Sequence, residues 1–154
     1  MKPNVAPMIL AFLSTGQSAA GAAEQDVAVP AACASLTSTE ITPDQLAARV
    51  AGAQSARLAL PGAANGPASR QCESVVMRSF ERLGRIKTQP AAEAVAKLVL
   101  NKRLQLDSAD RSAIASHIIE GGLGPLVGPL LYPHRDESIL AREIVSCIGQ
   151  KTCM

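Results

Sequence analysis

TPDQLAARVAGAQSARLAL, residues 42–60, reads as a helix with its own start and stop. Thr42 can cap the first unpaired amides. Pro43 suits the first helical position because it has no N–H to leave unsatisfied, and Gln45 completes a capping box. Ala47, Val50, Ala51, Gln54 and Leu58 recur at helical spacing as a mainly apolar stripe. Pro61 stops the run.

The same grammar continues toward the C-terminus. Residues 61–67 (PGAANGP) have loop composition. Ser69 is positioned to cap a second helix that turns Cys72, Val76, Phe80 and Leu83 to one face and ends at Gly84. A third starts at Pro90 under a Thr88 cap, with Ala91, Val95, Leu98 and Val99 inward and Glu93 and Lys97 as an i,i+4 pair. A fourth runs from Ser108 to Glu120, capped by Asp107 or Ser108. Its apolar side is Ile114, Ala115, Ile118 and Ile119, and Gly121-Gly122 ends it. The Gly- and Pro-broken segment 121–131 predicts a turn and a short buried helix, Leu126 to Leu131. A membrane-active loop would need basic and aromatic anchors that this segment lacks. A last helix, Glu137 to Ile148 under an Asp136 cap, carries Leu140, Ala141, Ile144, Val145 and Ile148. No segment alternates as a strand does, so the fold class is all-α, with five to six helices.

Residues 113–149, AIASHIIEGGLGPLVGPLLYPHRDESILAREIVSCIG, echo the stretch before them: Ile114 and Ile118 match Ile144 and Ile148 at a shift of thirty. The order of Gly-Gly turn, Pro-Leu-Val apolar helix, loop with Asp136 and Leu140/Ile144/Ile148 helix resembles an armadillo/HEAT-type helical repeat. That resemblance implies stacked helical hairpins, a solenoid-like arrangement. It lends little to peptide binding, because the asparagine ladder associated with armadillo proteins is missing.

At the other end, Met1-Lys2 precedes the apolar run of residues 5–13, VAPMILAFL, and small residues fill 18–23, SAAGAA, before the acids Glu24 and Asp26. This is the order of a secretory signal peptide, with the A-x-A-like Ala20-Gly21-Ala22 at the cleavage site. The apolar run is too short to span a bilayer, which takes about 20 residues. A lipid-acceptor reading of Cys33 fails because Pro30 stands where leucine is wanted. The chain therefore divides into a signal peptide (1–23), an extended N-terminal arm (24–41) and a helical domain (42–154), exported to the periplasm or beyond with no transmembrane anchor after cleavage.

The exported part, about 130 residues, is long enough for one cored domain. It is nearly neutral, and its aromatics are Phe80 and Tyr132 alone. Nucleic-acid binding is disfavoured on both counts, since it calls for a basic footprint or stacking platforms. Cys33, Cys72, Cys147 and Cys153 are an even set with no C-x-x-C spacing, which in an oxidising compartment means two disulfides rather than a metal or redox site. Of three possible pairings we favour Cys33–Cys72 and Cys147–Cys153, with Gly149 ending the last helix so that Cys153 can fold back.

No chemistry-bearing motif stands out. His117 with Glu120 three residues on would need a further ligand to hold a metal, and His134 in the 132–136 loop has no nucleophile assigned to it. No catalytic residue, metal site or cofactor is expected. Arg78, Arg82 and Arg85 fall on one helical face, followed by Lys87, Lys97, Lys102 and Arg103, with Glu81 and Glu93 among them. This is the best candidate surface for an acidic protein or an anionic envelope component. The expected function is an exported, non-enzymatic helical binding module: an inhibitor, an immunity protein or an envelope adaptor. The alternative is an assembly component of an envelope complex that self-associates through its Gly/Pro segment; a small envelope enzyme using His117 or His134 ranks third. The export reading predicts that N-terminal sequencing of the protein from its native host finds Ala23 or Glu24 first. A chain starting at Met1, or one lipidated on Cys33, would contradict it.

Overall fold

The computed structural model describes residues 28–61, 66–151 and 153, and the signal-peptide reading lies outside them. Six α-helices and two short 3₁₀ turns make up the regular structure, with no strand among the described residues, so the chain is all-α. The helices are α1 (Pro43–Ala59), α2 (Pro67–Arg85), α3 (Gln89–Val99), α4 (Ser108–Gly121), α5 (Gly124–Leu131) and α6 (Ile139–Gln150).

Local capping is largely as the sequence dictates. Thr42 Oγ1 accepts from the Gln45 amide at 3.2 Å, and Gln45 Oε1 accepts in return from the Thr42 amide at 3.1 Å. Thr88 and Asp107 cap α3 and α4. Two caps differ. α2 starts at Pro67 behind Gly66, two residues before the expected Ser69, because the Ser69 hydroxyl is buried and accepts instead from Arg57 Nε at 3.2 Å. α6 is capped by Ser138 rather than Asp136. Its hydroxyl accepts from the Ala141 amide and donates to the Val99 carbonyl, tying α6 to the end of α3. At the end of α6 it is Lys151, not Gly149, that takes the left-handed conformation, with φ 59°.

Odd helices pack on odd and even on even. α1 contacts α3 and α3 contacts α5; α2 contacts α4 and α4 contacts α6. The α1–α2 and α5–α6 pairs also pack within themselves, and α2 touches α3 and α4 touches α5, whereas α3 and α4 do not form such a pair. The core lies between these rows. Phe80 and Leu83 of α2, Val95 of α3, Ile114 and Ile118 of α4, Val127 and Leu131 of α5 and Ile144 of α6 are all fully buried. Each contributes roughly 1.5–3 kcal/mol on full burial. α1 is rotated relative to its expected stripe: Leu46, Val50, Ala53 and Gln54 face inward, while Ala51 and Leu58 are exposed. Gln54 is buried because its Nε2 donates to the carbonyls of Arg103 and Gln105, pinning the α3–α4 loop.

From residue 28 the arm is irregular apart from a 3₁₀ turn at Ala31–Cys33 and a turn from Thr37 to Glu40, and it is tied to the helices at several points. Cys33 is disulfide-bonded to Cys72 of α2, and Cys147 to Cys153, the pairing expected from the sequence. Arg49 donates to the carbonyls of Ala32 and Ala34 and pairs with Glu40; Gln71 Nε2 donates to the Cys33 carbonyl.

The tightest approach in the fold joins α2 to α4. Gly84 sits one residue before the end of α2 rather than beyond it, and it is buried against the backbone of α4. A methyl group there would stand 2.5 Å from the His117 carbonyl oxygen, and one on Gly121 would strike the Gly84 carbonyl. Gly84→Ala gains about 1 kcal/mol of helix propensity. Overpacking costs roughly 1–3 kcal/mol, more where the obstacle is backbone that cannot rotate away. The clash therefore wins, and chemical denaturation of Gly84→Ala should show a lower midpoint than the parent; an equal or higher midpoint would disprove the close approach.

Candidate functional site

The crossing of α2 and α4 creates a surface cleft of about 480 Å³ lined by Glu81, Arg85, Lys87, His117, Glu120 and Gly121. The geometry follows from the glycines. Because Gly84 and Gly121 let the backbones touch, the side chains one turn away on each helix are brought to a common rim. Lys87, just past the end of α2, lays its stem against Gly122, whose φ of 91° closes α4. Arg85 and Lys87 thus stand beside the carbonyl ends of two helices, where positive charge is favoured.

The three arginines named from the sequence have separate fates. Arg82 is an element of the fold: its Nη1 donates to the Thr37 carbonyl at 2.6 Å and the Glu40 carbonyl at 3.2 Å, clasping the arm. Arg85 is 70% exposed and pairs with Glu81 at 2.8 Å, an i,i+4 surface pair worth about 0–1 kcal/mol. Arg78 is exposed and makes no ion pair among the described residues. Among the described residues the exposed part of the basic face is therefore Arg78 and Lys87, which make no ion pair, and Arg85, which is shared with Glu81.

The two histidines do not come together. His117 is half-buried in the cleft with Glu81 and Glu120, while His134 faces Glu137 at 3.0 Å in the α5–α6 connection. No three His, Cys, Asp or Glu side chains form a metal-holding group among the described residues. Chemically, the cleft offers guanidinium, ammonium and imidazole donors to an anion. It also offers an imidazole flanked by carboxylates for proton transfer, but no hydroxyl or thiol lines it.

Sequence reasoning missed a second charged cluster, where α1, α2 and α4 meet. Arg57 Nη2 pairs with Glu73 at 3.2 Å, and Glu73 in turn is hydrogen-bonded to Asp110 in the first turn of α4. The participants lie on three helices, so no local spacing announces them. Burial, then the hydrogen bond and negative charge of Glu73, then the charge of Asp107, push the Asp110 carboxyl up from 3.8 to about 6, against the opposing pull of Arg57.

Comparison with protein-family models, with curated proteins and with solved structures returns no match. No helix among the described residues is long and apolar enough to cross a membrane.

The acid pair makes a pH prediction with an unusual sign. The folded chain holds the Asp110 proton more firmly than the unfolded chain does. Its stabilising contribution is present in full below the unfolded value of 3.8 and is lost as pH rises through about 6. The melting temperature of the parent should therefore fall relative to that of Asp110→Asn between these pH values. A parallel pair of profiles would show that Asp110 does not titrate in this way.

Proposed function

We propose that this chain is a non-enzymatic helical binding module that works after export, and that it receives the anionic groups of a partner protein or envelope component on Arg85 and Lys87 beside His117, with Arg78 two turns earlier on α2 extending the surface. The observation that carries the reading is the convergence of Arg85 and Lys87 with His117, Glu81 and Glu120 in one cleft, while Arg82 of the same basic face is occupied within the fold. Two disulfides support the exported setting, since such bonds persist in oxidising compartments. The packing of α1 on α3 on α5 and of α2 on α4 on α6 is compatible with stacked helices, although α3 and α4 do not pair as a hairpin.

An acid–base enzyme is the second reading, and one observation favours it: His117 shares the cleft with two carboxylates. His117→Gln distinguishes the two. On the binding reading it leaves most partner affinity in place, because the charge is carried by Arg85 and Lys87. On the enzymatic reading it abolishes turnover.

The binding proposal predicts different outcomes for different arginines. Arg78→Gln with Arg85→Gln should leave stability within about 0.5 kcal/mol of the parent, as exposed substitutions do. It should reduce capture of the partner from envelope extract, most strongly at low salt where screening is least. Arg82→Gln should instead lower stability by about 1–3 kcal/mol, because two carbonyls of the arm lose a charged donor. Unchanged capture by the double variant would remove the basic face from function.

A further inference from the structure

The α5 segment leaves a face that no other described residue covers. Val127 and Leu131 are buried, and Gly124 and Gly128 lie against Ile148 of α6. On the opposite side Pro125, Pro129, Tyr132 and Pro133 are exposed at i, i+4, i+7 and i+8, one stripe of a helical surface, with Leu126 and Leu130 half-buried along its edge. No residue from Gly121 to Pro133 carries a charge. Tyr132, 55% exposed, is held in place by Arg135, which lies 4.0 Å over its ring and donates to its carbonyl. A fixed aromatic with a stacked arginine, set in an uncharged surface, has the composition of an interface centre.

We infer that this face is the contact between two copies of the chain, joined about a two-fold axis with α5 against α5. Three observations select a second copy. α5 is the last helix of the α1–α3–α5 row, with a neighbour of that row on one side only, so a second α5 continues the packing the chain already uses. The stripe offers a partner no charge to pair with, and the surface that matches it best is an equally uncharged one, which a symmetric contact supplies. At the rim each copy carries both signs, Arg135 beside Asp136, with Glu137 held by His134 of its own copy, so a symmetric contact can set opposite charges against each other across the edge. This inference goes beyond the binding reading and does not depend on it. Pairing would give each assembly two copies of the Arg78–Arg85 face, raising avidity for a partner that carries repeated anionic groups.

Tyr132 also supplies the probe. It is the one tyrosine of the chain, which has no tryptophan, so ultraviolet-excited emission reports on this face alone. Sedimentation equilibrium of the exported, disulfide-bonded chain should give twice the chain mass at high concentration. On dilution the mass should halve, and acrylamide quenching of Tyr132 should rise over the same range. Pro125→Glu with Pro129→Glu should be monomeric at every concentration, with its tyrosine fully quenchable and its helical circular dichroism unchanged. If that variant loses its helicity, the concentration dependence of quenching in the parent decides. A parent that is monomeric with flat quenching overturns the inference, as does a dimer whose Tyr132 quenching ignores dilution. A monomer that sediments with phosphatidylcholine vesicles and loses Tyr132 quenching there would overturn it too, because the face would then meet lipid.

Discussion

Two glycines set how close α2 and α4 can come, and much of the molecule is arranged around that distance. Gly84 and Gly121 bring backbone against backbone, so the crossing has no side chain to act as a spacer. Phe80 and Leu83 are drawn inward with Ile114 and Ile118, and the polar residues one turn away are left together at the surface. The cleft with Arg85, Lys87, His117, Glu81 and Glu120 is a consequence of that contact. Dispersion contacts are individually small, near 0.1–0.2 kcal/mol per atom pair, but a close crossing multiplies them along both helices. A bulkier residue at either position would widen the crossing and separate the two sides of the cleft.

The arm depends on a different kind of bond. It has almost no regular structure of its own, and its carbonyls find donors in Arg49, Gln71 and Arg82 on α1 and α2. The Cys33–Cys72 disulfide shortens the search by closing the loop between arm and α2; bridges of this kind contribute roughly 2–4 kcal/mol, mostly through the unfolded state. One result is a division of labour among the basic residues of α2. The arginine that faces the arm is used up by carbonyls, whereas Arg78 and Arg85 face solvent, Arg85 shared with Glu81.

What could be read from the sequence was what is local. The capping box at Thr42 and Gln45, the caps at Thr88 and Asp107, the all-α class and the short-range Cys147–Cys153 bridge each depend on a few neighbouring residues or on a simple pattern. The errors arose where a residue that usually acts locally is used for tertiary contact. Ser69 looked like a cap and binds Arg57. Gly84 looked like a terminator and is a point of helix crossing. Arg82 looked like one of three equivalent surface arginines and clasps the arm. The cleft is half legible: His117 with Glu120 and Arg85 with Lys87 form two separate local groups in the sequence, and only the fold brings them to one place. The Arg57–Glu73–Asp110 cluster, spread over three helices, left no trace in spacing at all.

If the glycine crossing organises the molecule, protons at the contact must be close in solution. In a nuclear Overhauser spectrum of the folded, disulfide-bonded chain, a Gly84 α-proton should give a strong cross-peak to the Ile118 α-proton, and a Gly121 α-proton one to the Arg85 amide proton. Both cross-peaks together would establish the backbone contact from which the cleft follows. Their absence, in a chain whose remaining helical connectivities are intact, would mean that α2 and α4 are held apart and that the charged side chains do not share a site.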